Sequence, residues 1–72
     1  MSDINIGKSI EEERRCQHRT VVWLADRLNC NRTNIYKIFN RKSIDTDLLL
    51  RISIALNRNF FAQYIDRLPF HE

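Results

Sequence analysis

Apolar side chains along this chain recur at the spacing of helix faces, with no stretch showing the alternation of a strand. Ile6 and Ile10 stand one turn apart and mark a first helix expected from about Gly7 to Gln17, with a thin inward stripe because Glu13 and Arg14 interrupt it. Thr20 can accept from an otherwise unpaired backbone N–H and so caps a second helix, on which Val21, Leu24, Ala25 and Leu28 share one face until Asn29 stops it. A third helix begins after Asn31 as cap, places Ile35, Ile38 and Phe39 at i, i+3 and i+4, and frays from Asn40 to Lys42. Asp45 caps a fourth, with Asp47 well placed against the helix dipole and a wide stripe of Leu48, Leu49, Ile52, Ala55 and Leu56. After a turn at Asn57, Arg58 and Asn59, Asn59 caps a fifth helix that carries Phe60, Phe61, Tyr64, Ile65 and Leu68 until Pro69 ends it. The only glycine, Gly7, and the only proline, Pro69, lie near the ends, so asparagine and aspartate supply the punctuation. The pattern predicts an all-α fold, a compact five-helix bundle.

Size narrows what such a bundle can do. Seventy-two residues with 43% apolar content suffice for one core and not for two, so residues 1–72 are expected as a single domain with its core over about 6–68. A chain this short can hardly enclose a substrate cavity as well, which favours binding at a surface over catalysis on a small-molecule substrate.

Charge then points to a class of partner. From Arg14 to Lys42 there are eight bases, Arg14, Arg15, Arg19, Arg27, Arg32, Lys37, Arg41 and Lys42, and the single acid Asp26, a local net of +7. The rest of the chain sums to −4, within an overall +3. A molecule polarised in this way steers toward a polyanion with its middle third. Cys16 and Cys30 form neither a CxxC pair nor a disulfide framework, and the stretch MSDINIGKSIEEE lacks the apolar run of a signal peptide, so a cytoplasmic setting is expected. No segment is apolar for long enough to span a membrane.

The second and third helices are joined by only Asn29, Cys30 and Asn31, a link short enough to make them cross steeply. Small Ala25 allows close approach, Asn29 tolerates the left-handed conformation that a tight exit needs, and Cys30 plugs the corner. With Ile35, Ile38 and Phe39 inward, helical rotation turns Thr33, Tyr36, Lys37 and Asn40 outward and leaves Arg32 at the exposed first turn, on a face without an acid. Arg32 suits a guanine edge, Thr33 and Tyr36 offer hydroxyls and a surface for a thymine methyl, and Lys37 and Asn40 suit bases or phosphates. Thr20 and Arg19 on one side, with Arg41 and Lys42 on the other, would hold the phosphate backbone.

The segments TVVWLADRLNCNRTNIYKIFN and SIDTDLLLRISIALNRNFF resemble the helix-turn-helix domains of Cro/C1-type (XRE family) transcriptional regulators. The resemblance covers about Ile6 to Leu68 and is carried by Leu24-Ala25, Asn29-Cys30, Ile35, Ile38-Phe39 and Leu49/Ile52/Leu56. It implies a lambda repressor-like five-helix bundle whose third helix enters the major groove of double-stranded DNA, in that family usually as a homodimer on a palindromic operator. It also places Asn31, Arg32, Thr33, Tyr36, Lys37 and Asn40 at DNA-contact positions. Three residues depart from the pattern: Asn29 where the turn glycine is common, Val21 where a polar phosphate contact is common, and Glu13 where the first helix has an apolar residue.

Other chemistries find less support. Cys16, His18, Cys30 and His71 match no common zinc spacing, and no metal or cofactor is called for. Neither histidine has an orienting carboxylate at a telling spacing, and no Gly-rich loop exists to hold phosphate, so no enzyme is expected. Trp23, Phe60, Phe61 and Tyr64 read as core or rim aromatics, with a surplus on the fifth helix available for a dimer contact. The competing reading is a protein-interaction module, an adaptor or antitoxin-like partner that uses this fifth helix. RNA binding ranks third, because the aromatics are too few for a stacking platform.

Overall fold

Four helix starts are set by side chains that accept from the amide three residues on. Asn5 Oδ1 accepts from Lys8 (3.2 Å), Thr20 Oγ1 from Trp23 (2.9 Å), Asn31 Oδ1 from Asn34 (3.0 Å) and Asp45 Oδ1 from Leu48 (2.7 Å). Each satisfies one amide that has no partner inside its helix, a contribution of about 1 kcal/mol. In the computed structural model, which describes residues 4–70, the helices that follow are α1 (Ile6–Cys16), α2 (Val21–Arg27), α3 (Arg32–Phe39), α4 (Thr46–Leu56) and α5 (Ala62–Ile65). No strand occurs among the described residues, and no helix there is long and apolar enough to cross a membrane.

The exits share one device as well. His18, Asn29 and Asn57 adopt positive φ values of 58°, 54° and 51° in a chain that has no glycine at these positions. Around Asn29, the Asn29 amide donates to Asp26 (3.1 Å) and the Cys30 amide to Ala25 (2.9 Å). This nested pair absorbs carbonyls that the end of α2 would otherwise leave open. The same pair recurs at His18 with Arg19 and at Asn57 with Arg58. Asn29 thus takes the left-handed conformation that the tight exit was expected to need.

Ile6, Ile10, Leu24, Ile35, Ile52 and Leu56 are sealed to 1% exposure or less, and Ala25, Leu28, Ile38, Leu49 and Phe60 complete the core. Burying each large side chain stabilises the fold by about 2 kcal/mol. The thin stripe of α1 suffices because its backbone also docks. Its first amides donate outside the helix, Ile6 to the Lys42 carbonyl (3.1 Å) and Gly7 to that of Arg41 (2.9 Å). A Cβ on Gly7 would overlap the carbonyl oxygens of Ile38, Phe39 and Arg41, so the approach needs glycine. At the other end of α1, Gln17 donates to the Leu56 carbonyl (2.6 Å), and Glu13, which accepts from Gln17, pairs with Arg58 at 2.6 Å. Glu13 is therefore no gap in the packing of α1; it serves a polar tie to the end of α4.

Two expectations shift. The first helix starts at Ile6 under an Asn5 cap and stops at Cys16, with Gln17 closing it. The fifth is corrected more deeply, because α5 is four residues long and lacks a side-chain cap. Asn59 Oδ1 instead accepts from the Phe61 amide two residues on (3.0 Å), which makes a local turn. Phe60 alone is buried from that segment; Phe61 and Tyr64 pack against the core half-buried, while Ile65 and Leu68 stay exposed.

Candidate nucleic-acid interface

The placement of α3 follows from its two buried isoleucines. Ile35 is fully buried and Ile38 nearly so, which directs Arg32, Thr33, Asn34, Tyr36, Lys37 and Asn40 outward, and all six are exposed. The link from α2 runs through Leu28, the left-handed Asn29, half-buried Cys30 and the cap Asn31, one residue longer than the spacing suggested because Leu28 already lies outside α2. Asn31 spends its side-chain oxygen on the Asn34 amide, so as a contact residue it has its side-chain NH₂ to offer.

The exposed side chains of α3 differ in how they are held. Tyr36 meets Phe39 edge to face, with ring centroids 6.3 Å apart and planes at 83°, which orients the phenol on the surface. Asn40 donates from Nδ2 to the Tyr36 carbonyl at 3.1 Å and so helps to close the helix that it was expected only to decorate. Lys37 and Arg41 line a groove between α3 and α4 whose floor includes Leu28, Cys30, Ile38 and Leu48. Arg32 borders a separate hollow with Val22, Asp26 and Asn31. Asp26 of α2 thus shares a hollow with Arg32 of the first turn of α3, while α3 itself carries no acid.

The flanks divide in the same way. Thr20 caps α2 through the Trp23 amide, and the amides of Val21 and Val22 precede the first intrahelical bond, from Leu24 to Thr20. Val21 is half-buried against the core, an apolar role for the position where a polar residue was noted as common. The Arg19 guanidinium lies over the Trp23 ring, 4.4 Å from its centroid, which gives it a fixed seat beside the start of α2. Arg41 and Lys42 are exposed by their side chains, while their carbonyls hold the first amides of α1.

Three contributors lie outside the sequence-derived set. Arg51 of α4 lines the α3–α4 groove beside Lys37 and Arg41, so a residue counted with the acidic remainder joins the basic surface. Its signal in the sequence is a lone base within the apolar run Leu48 to Leu56, where only an outward position is tolerable. Asn34 lines the same groove, although its register falls between the inward and outward sets that periodicity defines. Arg14 donates from Nη1 to the Arg19 carbonyl (2.6 Å) and lies 5.7 Å from the Phe39 ring centroid, tying the corner ahead of α2 to α3. No local pattern could reveal that contact.

For metal chemistry, no group of three or more His, Cys, Asp or Glu able to hold an ion occurs among the described residues. Cys16 and His18 are exposed, Cys30 is half-buried in the corner, and His71 lies outside the described residues. No protein-family model matches the chain, and no curated protein or solved structure matches it significantly.

Proposed function

We propose that this protein binds duplex DNA sequence-specifically as a helix-turn-helix regulator of the Cro/C1-like kind, with α3 inserted in the major groove. The observation that carries the reading is the division of α3: Ile35 and Ile38 are buried, while every cationic or hydrogen-bonding side chain from Arg32 to Lys37 faces solvent. A helix anchored from below with donors above is the geometry that base-edge recognition requires. Arg32 supplies two parallel donors for guanine, Thr33 and Tyr36 combine hydroxyls with apolar surface, and Lys37, Arg41 and Arg51 form a cationic flank for phosphates. Arg19, Thr20 and Lys42 would hold the backbone at the two margins, and the Asn40 side chain, already bonded to Tyr36, contributes its oxygen.

Selection of duplexes from a random pool tests this directly. A defined motif should emerge, and its affinity should fall steeply with salt as phosphate-bound cations are released. Arg32→Ala or Lys37→Ala should each weaken binding to that motif by about 1 to 3 kcal/mol where the residue reads a base. A pool that yields no preferred sequence, or binding indifferent to both substitutions, overturns the reading. A second reading, a protein-interaction module, is favoured by one observation: Ile65, Leu68 and Phe70 are 57%, 46% and 53% exposed in succession at the C-terminal end. That surface also suits a homodimer contact. Light scattering separates the two uses, because a dimer built there should dissociate in Ile65→Ser/Leu68→Ser, and a monomeric wild type leaves the face to another partner.

A further inference from the structure

A second surface lies between α2 and α4 and uses no side chain of α3. The guanidiniums of Arg19 and Arg27 lie 4.4 and 5.2 Å from the centroid of the Trp23 ring, and Arg51 reaches the same cleft while donating to the Leu28 carbonyl. The cleft measures about 480 Å³ and has no carboxylate in its lining. Ile54, 71% exposed, stands at its edge, and Leu50, one turn earlier on α4, is 50% exposed. Two cations against an aromatic face and a third in the same cleft, adjoining two large apolar side chains in water, form a surface of mixed character that needs a partner with both complements.

The chemistry selects among partners. A second copy set against this face by twofold symmetry would bring the same three arginines against their counterparts, an arrangement like-charge repulsion opposes. Duplex DNA would satisfy the guanidiniums but leave Ile54 and Leu50 without apolar contact. An acidic peptide with a large apolar residue meets both needs, since carboxylates take the arginines in bidentate pairs and the apolar side chain covers Trp23 and Ile54. We propose that the α2–α4 cleft docks an acidic amphipathic segment of a partner protein, with carboxylates on Arg19, Arg27 and Arg51 and one apolar anchor against Trp23 and Ile54. The site shares Arg19 and Arg51 with the phosphate contacts proposed above, while Arg27, Trp23 and Ile54 lie outside the DNA-contact set and distinguish the two uses.

Trp23 is the only tryptophan of the chain and stands in the cleft, so its fluorescence reports occupancy. The probe is a short synthetic helix with leucines on one face and glutamates on the other, compared with the same composition in scrambled order and with a random duplex DNA. The amphipathic peptide should shift Trp23 emission saturably, and the scrambled one should bind at least about tenfold more weakly. Arg27→Glu and Ile54→Ser, both at exposed positions and outside the DNA-contact set, should each weaken the peptide by a similar factor while far-UV circular dichroism is unchanged. Arg32→Ala should leave the peptide affinity unaltered while it weakens DNA binding. No response to the peptide, equal binding of the scrambled sequence, or full affinity in Ile54→Ser overturns the proposal. So does duplex DNA that produces the same response with the same dependence on Arg27, since the cleft would then serve nucleic acid.

Discussion

Residues 6–16 place two isoleucines in the core and form an eleven-residue helix, whereas residues 60–70 hold six large apolar side chains and keep only four residues helical. The difference lies at the ends of the two segments. α1 has an Asn5 cap, two first-turn amides bonded to the Arg41 and Lys42 carbonyls, a left-handed exit at His18 and polar ties to Leu56 and Arg58. α5 has no side-chain cap, and its segment is held by Phe60 and by the half-buried Phe61 and Tyr64. A helix in a domain this small persists where its terminal backbone groups find partners; apolar content beyond what the core can cover adds surface without adding length.

The contrast can be broken or sharpened by substitution, with stability read from urea denaturation. Phe60→Ala should have the largest effect, a loss of about 4 kcal/mol, because it removes the one sealed anchor of the C-terminal segment. Gly7→Ala should cost about 3 kcal/mol, since the added methyl meets backbone rather than flexible side chains, and on the proposed DNA reading it should lower DNA affinity as α3 is displaced. Asn5→Ala should cost about 1 kcal/mol by loss of the cap on the Lys8 amide. Leu68→Ser should change stability by less than about 0.5 kcal/mol, its side chain being exposed already. A loss at Leu68 as large as that at Phe60, or a neutral Gly7→Ala, would show that the two segments are not held by different means.

What the sequence made legible was local. The caps at Thr20, Asn31 and Asp45 and the stripes of α2, α3 and α4 lie within a few residues of the bonds they make, and Asn29 announced its left-handed turn by residue type. The outward placement of Arg32, Thr33, Tyr36 and Lys37 followed from the same periodicity. Illegible were effects set by distant partners: Glu13 is matched by Arg58, Gly7 by the far end of α3, and Arg51 by Lys37 and Arg41 across the α3–α4 groove. The fifth helix misled because periodicity registers which side chains could share a face and not whether the core has room for them. His18 gave no hint of its positive φ, since its exit bonds to Arg14 and Arg15 are made by backbone atoms.

The seam at Gly7 carries a consequence for anyone wishing to borrow the outward helix. The carbonyls of Arg41 and Lys42 find their donors in a segment more than thirty positions earlier, so residues 20–42 excised as a peptide would surrender those bonds to water and lose the lid formed by Ile6 and Ile10. The helix is not portable: grafting it elsewhere means transplanting the N-terminal segment too, glycine included.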